Sequence, residues 1–368
     1  MSRTRLAVLL LSLSPSPLLQ AQEPTPPPHG VATATPAEDL EELATVRVIF
    51  EHEDGLFVCD GNGQDVRRFN QPGENIPATI GLSADGATYA YVLHDALRLG
   101  TPDRSATIVA PIPGWGAPVW APDGSHLAIG TDERTVGTGA LWLVAIDRDA
   151  HRAAEPQRLT AEGAFAAYPA FSPDGRWLAF ATERSQEIVE GHDTIHVERR
   201  SQVELRELGD DAGSAPRVVS PRTGEIHAIT WSPDGRWLAF ECDSELCLVS
   251  MAGGEPGPTR VLCGELPRGQ PLRWRPDSGA ILLTRTVARR AHGKNARPAE
   301  DALVLVPLDG ELTVVPLGTT VYDVAWTPDG RFALFTAGDR GLYRLRLEGH
   351  RIERLHDDVE HWAQLWVR

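Results

Sequence analysis

The chain has 368 residues, 42% of them hydrophobic, with 34 Gly, 29 Pro and 10 Trp. That is enough apolar material for a large core, and so much glycine and proline suits many short strands joined by tight turns. A formal net charge of −16 argues against nucleic acid or an anionic lipid surface as partner.

In chain order, Arg3 and Arg5 precede an apolar run at residues 6–13, and Leu19-Gln20-Ala21 ends on a small residue. This predicts a secretory signal peptide over residues 1–21, since the run is too short to span a bilayer. No cysteine lies near the expected cleavage site to carry a lipid anchor. Removing Arg3 and Arg5 takes the charge from −16 to −18. No later stretch is long enough to cross a membrane. The mature chain is expected to be a monomer exported to the periplasm or beyond. Residues 22–44, with Pro26, Pro27, Pro28 and Pro36, read as a Pro-rich disordered linker before a single domain over residues 45–368.

Strands are predicted at residues 46–50, 55–60 and 66–69, with no Pro-Asp-Gly turn ahead of them. They read as a sheet missing its first strand. Six copies of one unit follow. Phe-Ser-Pro-Asp-Gly-Arg-Trp-Leu-Ala-Phe at residues 171–180 and Trp-Ser-Pro-Asp-Gly-Arg-Trp-Leu-Ala-Phe at 231–240 agree at nine of ten positions. Proline sets φ for the turn, aspartate bonds local backbone, and glycine supplies positive φ. The apolar run behind the turn reads as a buried strand. Weaker copies centre on Asp85, Asp123, Asp277 and Asp329, the one at Asp277 with one residue inserted before its glycine. Spacings of 38, 51, 60, 43 and 52 residues between the motif aspartates are those of propeller blades.

The unit resembles the TolB-like, WD40-like (PD40) propeller repeat. The resemblance implies an all-β fold: a β-propeller of four-stranded blades. Residues 360–368 read as the opening strand of another blade, which would pair with residues 46–69 and close the ring. That makes seven blades with a closing blade shared by the two termini; six is the alternative.

Insertions at residues 183–200 and 285–301, between second and third strands, should rim one face of the disc. The first holds His192 and His196, candidate metal ligands, although such a stretch reads first as a solvated loop. The second holds Arg289 and Arg290, which suit a carboxylate or sugar acid. Trp115, Tyr168, His227, Tyr322, His361 and Trp362 fall at or near the starts of innermost strands and are candidates to ring the channel mouth on that face. The motif aspartates are assigned to turn chemistry and the motif aromatics to packing between blades. Cys242 and Cys247 flank a predicted hairpin and are a candidate disulfide, with small buried thiols the other reading.

No Gly-x-Ser-x-Gly elbow is present. The resemblance implies a non-catalytic module that binds a protein or peptide of the cell envelope at the channel mouth, with no cofactor. The departure is that TolB carries an extra N-terminal α/β domain where this chain has a short linker. The alternative is a metal-dependent, carbohydrate-active propeller enzyme of the lyase kind. It would use a divalent metal and His192, His196, His227 and His361.

Overall fold

The computed structural model describes residues 37–52, 55–74, 76–77, 79–114, 116–132, 139–160, 165–190, 194–209, 216–219, 224–252, 255–266, 271–288, 300–357, 359 and 365–367. Apart from a helix, α1 (Ala37–Leu43), and a 3-10 turn at Glu348–His350, the described secondary structure is β.

The strands form seven antiparallel sheets. Blade 1 runs from Ile80–Leu82 to Arg104–Pro111, and blade 2 begins at Pro118–Trp120, with its fourth position split into Arg152–Ala153 and Gln157–Arg158. Blade 3 runs from Phe165–Phe171 to Arg217–Val218, and blade 4 from Ile226–Trp231 to Thr259–Cys263. Blade 5 runs from Arg273–Trp274 to Thr313–Thr319, and blade 6 from Val321–Trp326 to Arg351–His356. The closing blade has the order Leu365–Val367, Arg47–His52, Gly55–Asp60, Arg67–Arg68, so the tail supplies the innermost strand and the head the other three. Val48 pairs with Val367, Ile49 with Trp366 and Phe50 with Leu365. Seven blades, not six, complete the ring.

The core lies in the seams. Seven clusters of buried apolar residues each join two consecutive blades, the seventh pair being blade 6 with the closing blade. Every seam is filled, so no sheet face is left to solvent inside the disc. The motif tryptophans also tie neighbouring blades by hydrogen bonds. Trp120 Nε1 donates to Gly81 O at 3.1 Å, Trp231 Nε1 to Ala170 O at 3.1 Å and Trp326 Nε1 to Arg273 O at 3.0 Å. At Gly81 a Cβ would lie 2.0 Å from Pro118 O, so only glycine lets the innermost strands of blades 1 and 2 come this close.

The turn chemistry is as expected. In blade 3, Asp174 Oδ1 accepts from Ser172 Oγ at 2.5 Å and from Arg176 N at 3.0 Å, while Gly175, at φ +71°, donates its N–H to Ser172 O at 2.8 Å. Burial pushes the Asp174 carboxyl up, but these hydrogen bonds outweigh it and hold the group below the usual carboxylate range. Blade 5 corrects one expectation: nothing is inserted there. Ser278 N donates to Arg275 O at 2.9 Å and Gly279 N to Asp277 Oδ1 at 2.9 Å. Ser278 therefore stands in the glycine's place, at φ +62°.

Two further expectations change. Cys242 and Cys247 belong to a hairpin whose turn is only Asp243 and Ser244, both at positive φ. That register sets Cys242 opposite Glu245 and Cys247 opposite Phe240, so the cysteines do not face each other, and the expected bridge is not formed. Both thiols are buried in the seam between blades 3 and 4. The last residues of the expected linker are ordered as α1, whose Asp39 is 4% exposed and pairs with Arg331 and, at 2.7 Å, with Arg346. Residues 1–21, expected as a signal peptide, and residues 22–36 lie outside the described residues.

Candidate functional site at the channel mouth

The innermost strands of blades 3, 4 and 6 share a defect near their starts. The register slips between Ala167 and Ala170, between His227 and Ile229, and between Val321 and Asp323. Such bulges re-aim a side chain at the cost of ladder regularity. In blade 3 the bulged residue is Tyr168, at φ +55° and 40% exposed.

The bulge brings Tyr168 to the next blade. Its hydroxyl and His227 Nδ1 share a hydrogen bond at 3.1 Å, with the rings edge to face at 5.8 Å and 71°. Behind them lies Glu241, the cross-strand partner of His227 and 1% exposed. Glu225 Oε2 is 4.0 Å from His227 Nε2. Burial raises the Tyr168 hydroxyl pKa and the negative charge of Glu241 adds to the rise, so the phenol stays protonated. The result is an aromatic ring, an imidazole and two carboxylates at one point of the rim: donors and acceptors for a polar ligand, with a ring for it to lie against.

The repeat itself argues that this group is not needed for folding. Blades 3 and 4 share nine of ten motif residues, yet where blade 4 pairs His227 with Glu241, blade 3 pairs Ala167 with Ala181. The same backbone closes over two methyl groups.

Tyr322 occupies the bulge in blade 6, two blades beyond His227, and is not part of this pair. His196 lies in a strand, opposite Ile188. Trp115, His192, Arg289, Arg290, His361 and Trp362 lie outside the described residues. Among the described residues, no three His, Cys, Asp or Glu side chains gather as a metal cage. Glu241 was missed from the sequence, though lining up the two repeats exposes it as a carboxylate where an alanine stands. Glu204 was missed as well. It is 8% exposed, and its Oε1 accepts from Thr182 Oγ1 at 2.9 Å and Gln202 Nε2 at 2.8 Å.

The insertion of blade 3 is a continuation of two strands rather than a loop. Trp177–Glu190 and Thr194–Glu207 pair in unbroken register from Trp177 opposite Glu207 to Glu190 opposite Thr194. The innermost strand stops pairing at Glu183. Seven pairs, from Arg184–Arg200 to Glu190–Thr194, continue past it as a ribbon. At about 3.3 Å per residue it extends roughly 20 Å beyond the blade. In an up-and-down blade the second strand ends on the face where the first begins, so the ribbon rises from the face that holds Tyr168 and His227.

Comparison with known proteins supports the architecture. The WD40 family (WD domain, G-beta repeat) matches residues 313–343, the outer strand of blade 5, the first two strands of blade 6 and the start of its third. The search of curated proteins gives no match. Among solved structures, the chain is similar to a Bacteroides uniformis protein assigned as a 6-phosphogluconolactonase, at 14% identity and a TM-score of 0.56, covering 87% of this chain and 99% of that one. It is also similar to an oligogalacturonate lyase in complex with manganese, at 14% identity and a TM-score of 0.52, covering 78% and 83%. A TolB from Acinetobacter baumannii aligns at 17% identity over 90% and 86% of the chains, but its TM-score of 0.44 is too low to argue from. At these identities the likeness is one of fold. The chain is a WD40-like β-propeller, here with seven blades.

Proposed function

We propose that this propeller is an exported, non-catalytic binding module that holds a protein or peptide of the cell envelope at its ribbon-bearing face. The observation that carries the reading is the ribbon. Above Arg184 and Arg200 neither of its edges has a strand partner among the described residues. An unpaired edge presents a row of backbone donors and acceptors to an incoming strand. The Tyr168–His227 group at its foot adds side-chain contacts, and the signal peptide expected at residues 1–21 supports the location.

The test is to replace residues 186–198 with an Asn-Gly turn and compare capture of partners by cross-linking in envelope extract. We expect a partner captured by the full chain to be lost from the shortened one, with the melting temperature unchanged. Equal capture by both would contradict the reading.

A metal-dependent, carbohydrate-active enzyme is the second reading, supported only by the fold shared with the manganese-bound lyase. Manganese held stoichiometrically by the purified protein and lost on His227→Ala would favour it.

A further inference from the structure

We propose that His52 and His356 bind one transition-metal ion of the zinc class, and that the ion staples the seam between blade 6 and the closing blade. The inference is independent of what the mouth binds. Each histidine is the last residue of its strand, Arg47–His52 and Arg351–His356. The two come from opposite ends of the chain and meet across the seam, their ring centroids 6.2 Å apart and their planes at 44°. Two imidazoles on one ion, with metal–nitrogen bonds of about 2.0–2.1 Å, hold their centroids roughly 5–6 Å apart. A shift of a few tenths of an ångström brings this pair into range.

The rings are held by packing. His52 lies against Phe57 at 4.9 Å and His356 against Phe50 at 5.6 Å, and the two phenylalanines are cross-strand partners. Gly55 stands opposite His52, and the Arg68 guanidinium takes the place that a side chain there would fill. His52 Nδ1 is enclosed and has no hydrogen-bond partner among the described residues. Phenylalanine at position 52 would give the same aromatic packing without enclosing an unsatisfied nitrogen, so packing alone does not account for the histidine. Imidazole is a borderline-soft ligand that suits zinc, copper and nickel over magnesium or calcium. Two protein ligands leave the remaining positions to water.

The consequence is mechanical. The seam joins segments 304 positions apart, from residue 52 to residue 356, so an ion bound there closes a loop that spans most of the chain. Anything that binds the closed ring and not the opened one stabilises it by mass action.

The experiment uses tag-free full-length protein stripped with chelator and titrated with zinc chloride alone. Calorimetry should find one ion. The melting temperature should rise by roughly 3–6 °C at about a hundredfold excess over Kd, and amide exchange at residues 48–50 should slow. His52→Gln and His356→Gln, each checked for native circular dichroism, should lose the binding and the shift, while His227→Ala keeps both. The proposal is overturned if no zinc binds, or if binding survives unchanged in both Gln variants. Zinc that binds without protecting residues 48–50 overturns the staple.

Discussion

Ring closure converges on Asp323, whose side chain is 7% exposed. Its Oδ1 accepts from Arg273 Nη2 of blade 5 at 2.8 Å and from Val324 N at 2.8 Å. Its Oδ2 accepts from Leu365 N, in the tail strand, at 2.8 Å. Asp323→Ala removes both acceptor oxygens and with them all three hydrogen bonds. A hydrogen bond to a charged group contributes about 1.5–3 kcal/mol when buried, and the Leu365 and Val324 amides are left without a partner in a seam that excludes water. Arg273 is 41% exposed and regains water, so its share is at most about 1 kcal/mol. The expected loss is about 2–4 kcal/mol. Urea denaturation measures it, and hydrogen exchange should show residues 365–367 opening ahead of the rest of the ring. Asp323→Asn keeps one acceptor and should cost less. A loss below about 0.5 kcal/mol, with exchange at residues 365–367 unchanged, would refute the claim that this carboxylate latches the tail.

Ser278→Gly should raise the urea midpoint, because Ser278 holds φ +62° where the five other motif blades keep a glycine; relief is expected at about 0.5–1 kcal/mol, and a lower midpoint would contradict the strain. Hydrogen bonds from Ser83, Arg148 and the Ala87 amide outweigh burial and hold the Asp85 carboxyl at about 2, and Asp123, Asp174 and Asp234 are lowered as well. Such groups stabilise the fold above the usual carboxylate range near pH 4 and lose that contribution as pH falls toward 2. The melting temperature should therefore drop over that window, and less so in Asp85→Asn; parallel curves would count against it. Replacing both His227 and Glu241 with alanine recreates the pair found in blade 3. Denaturation should show stability within about 1 kcal/mol of the parent or above it, and a larger loss would mean that the pair is structural.

The turns were legible because their chemistry is local: proline, aspartate and glycine act within five residues, and the strand behind them announces itself by apolar runs. Ring closure was legible for a different reason, since a head lacking its first strand and a tail ending on one have a single arrangement that leaves no edge. Ser278 was misread because glycine was matched to glycine, whereas Pro276 and Asp277 set the frame and serine tolerates the left-handed position there. The cysteine pair failed on a turn of two residues, which fixes the register and cannot be read from composition. Helix α1 is held by Asp39 meeting Arg331 and Arg346, far along the chain, since seven residues do not make a stable helix on their own. Of the site, Tyr168 and His227 were named from their place before the inner strands. Their contact needed the bulge at Tyr168, which no residue pattern marks, whereas Glu241 shows once the two repeats are lined up.

The central claim is that the ribbon-bearing mouth is where this propeller meets its partner. A photo-cross-linking amino acid placed at Tyr168, and separately at Ile108 on the outer strand of blade 1, where the side chain is 60% exposed, tests it in living cells. The account predicts a protein adduct at position 168 and none at 108. Adducts only at 108, or equal labelling at both, would contradict it.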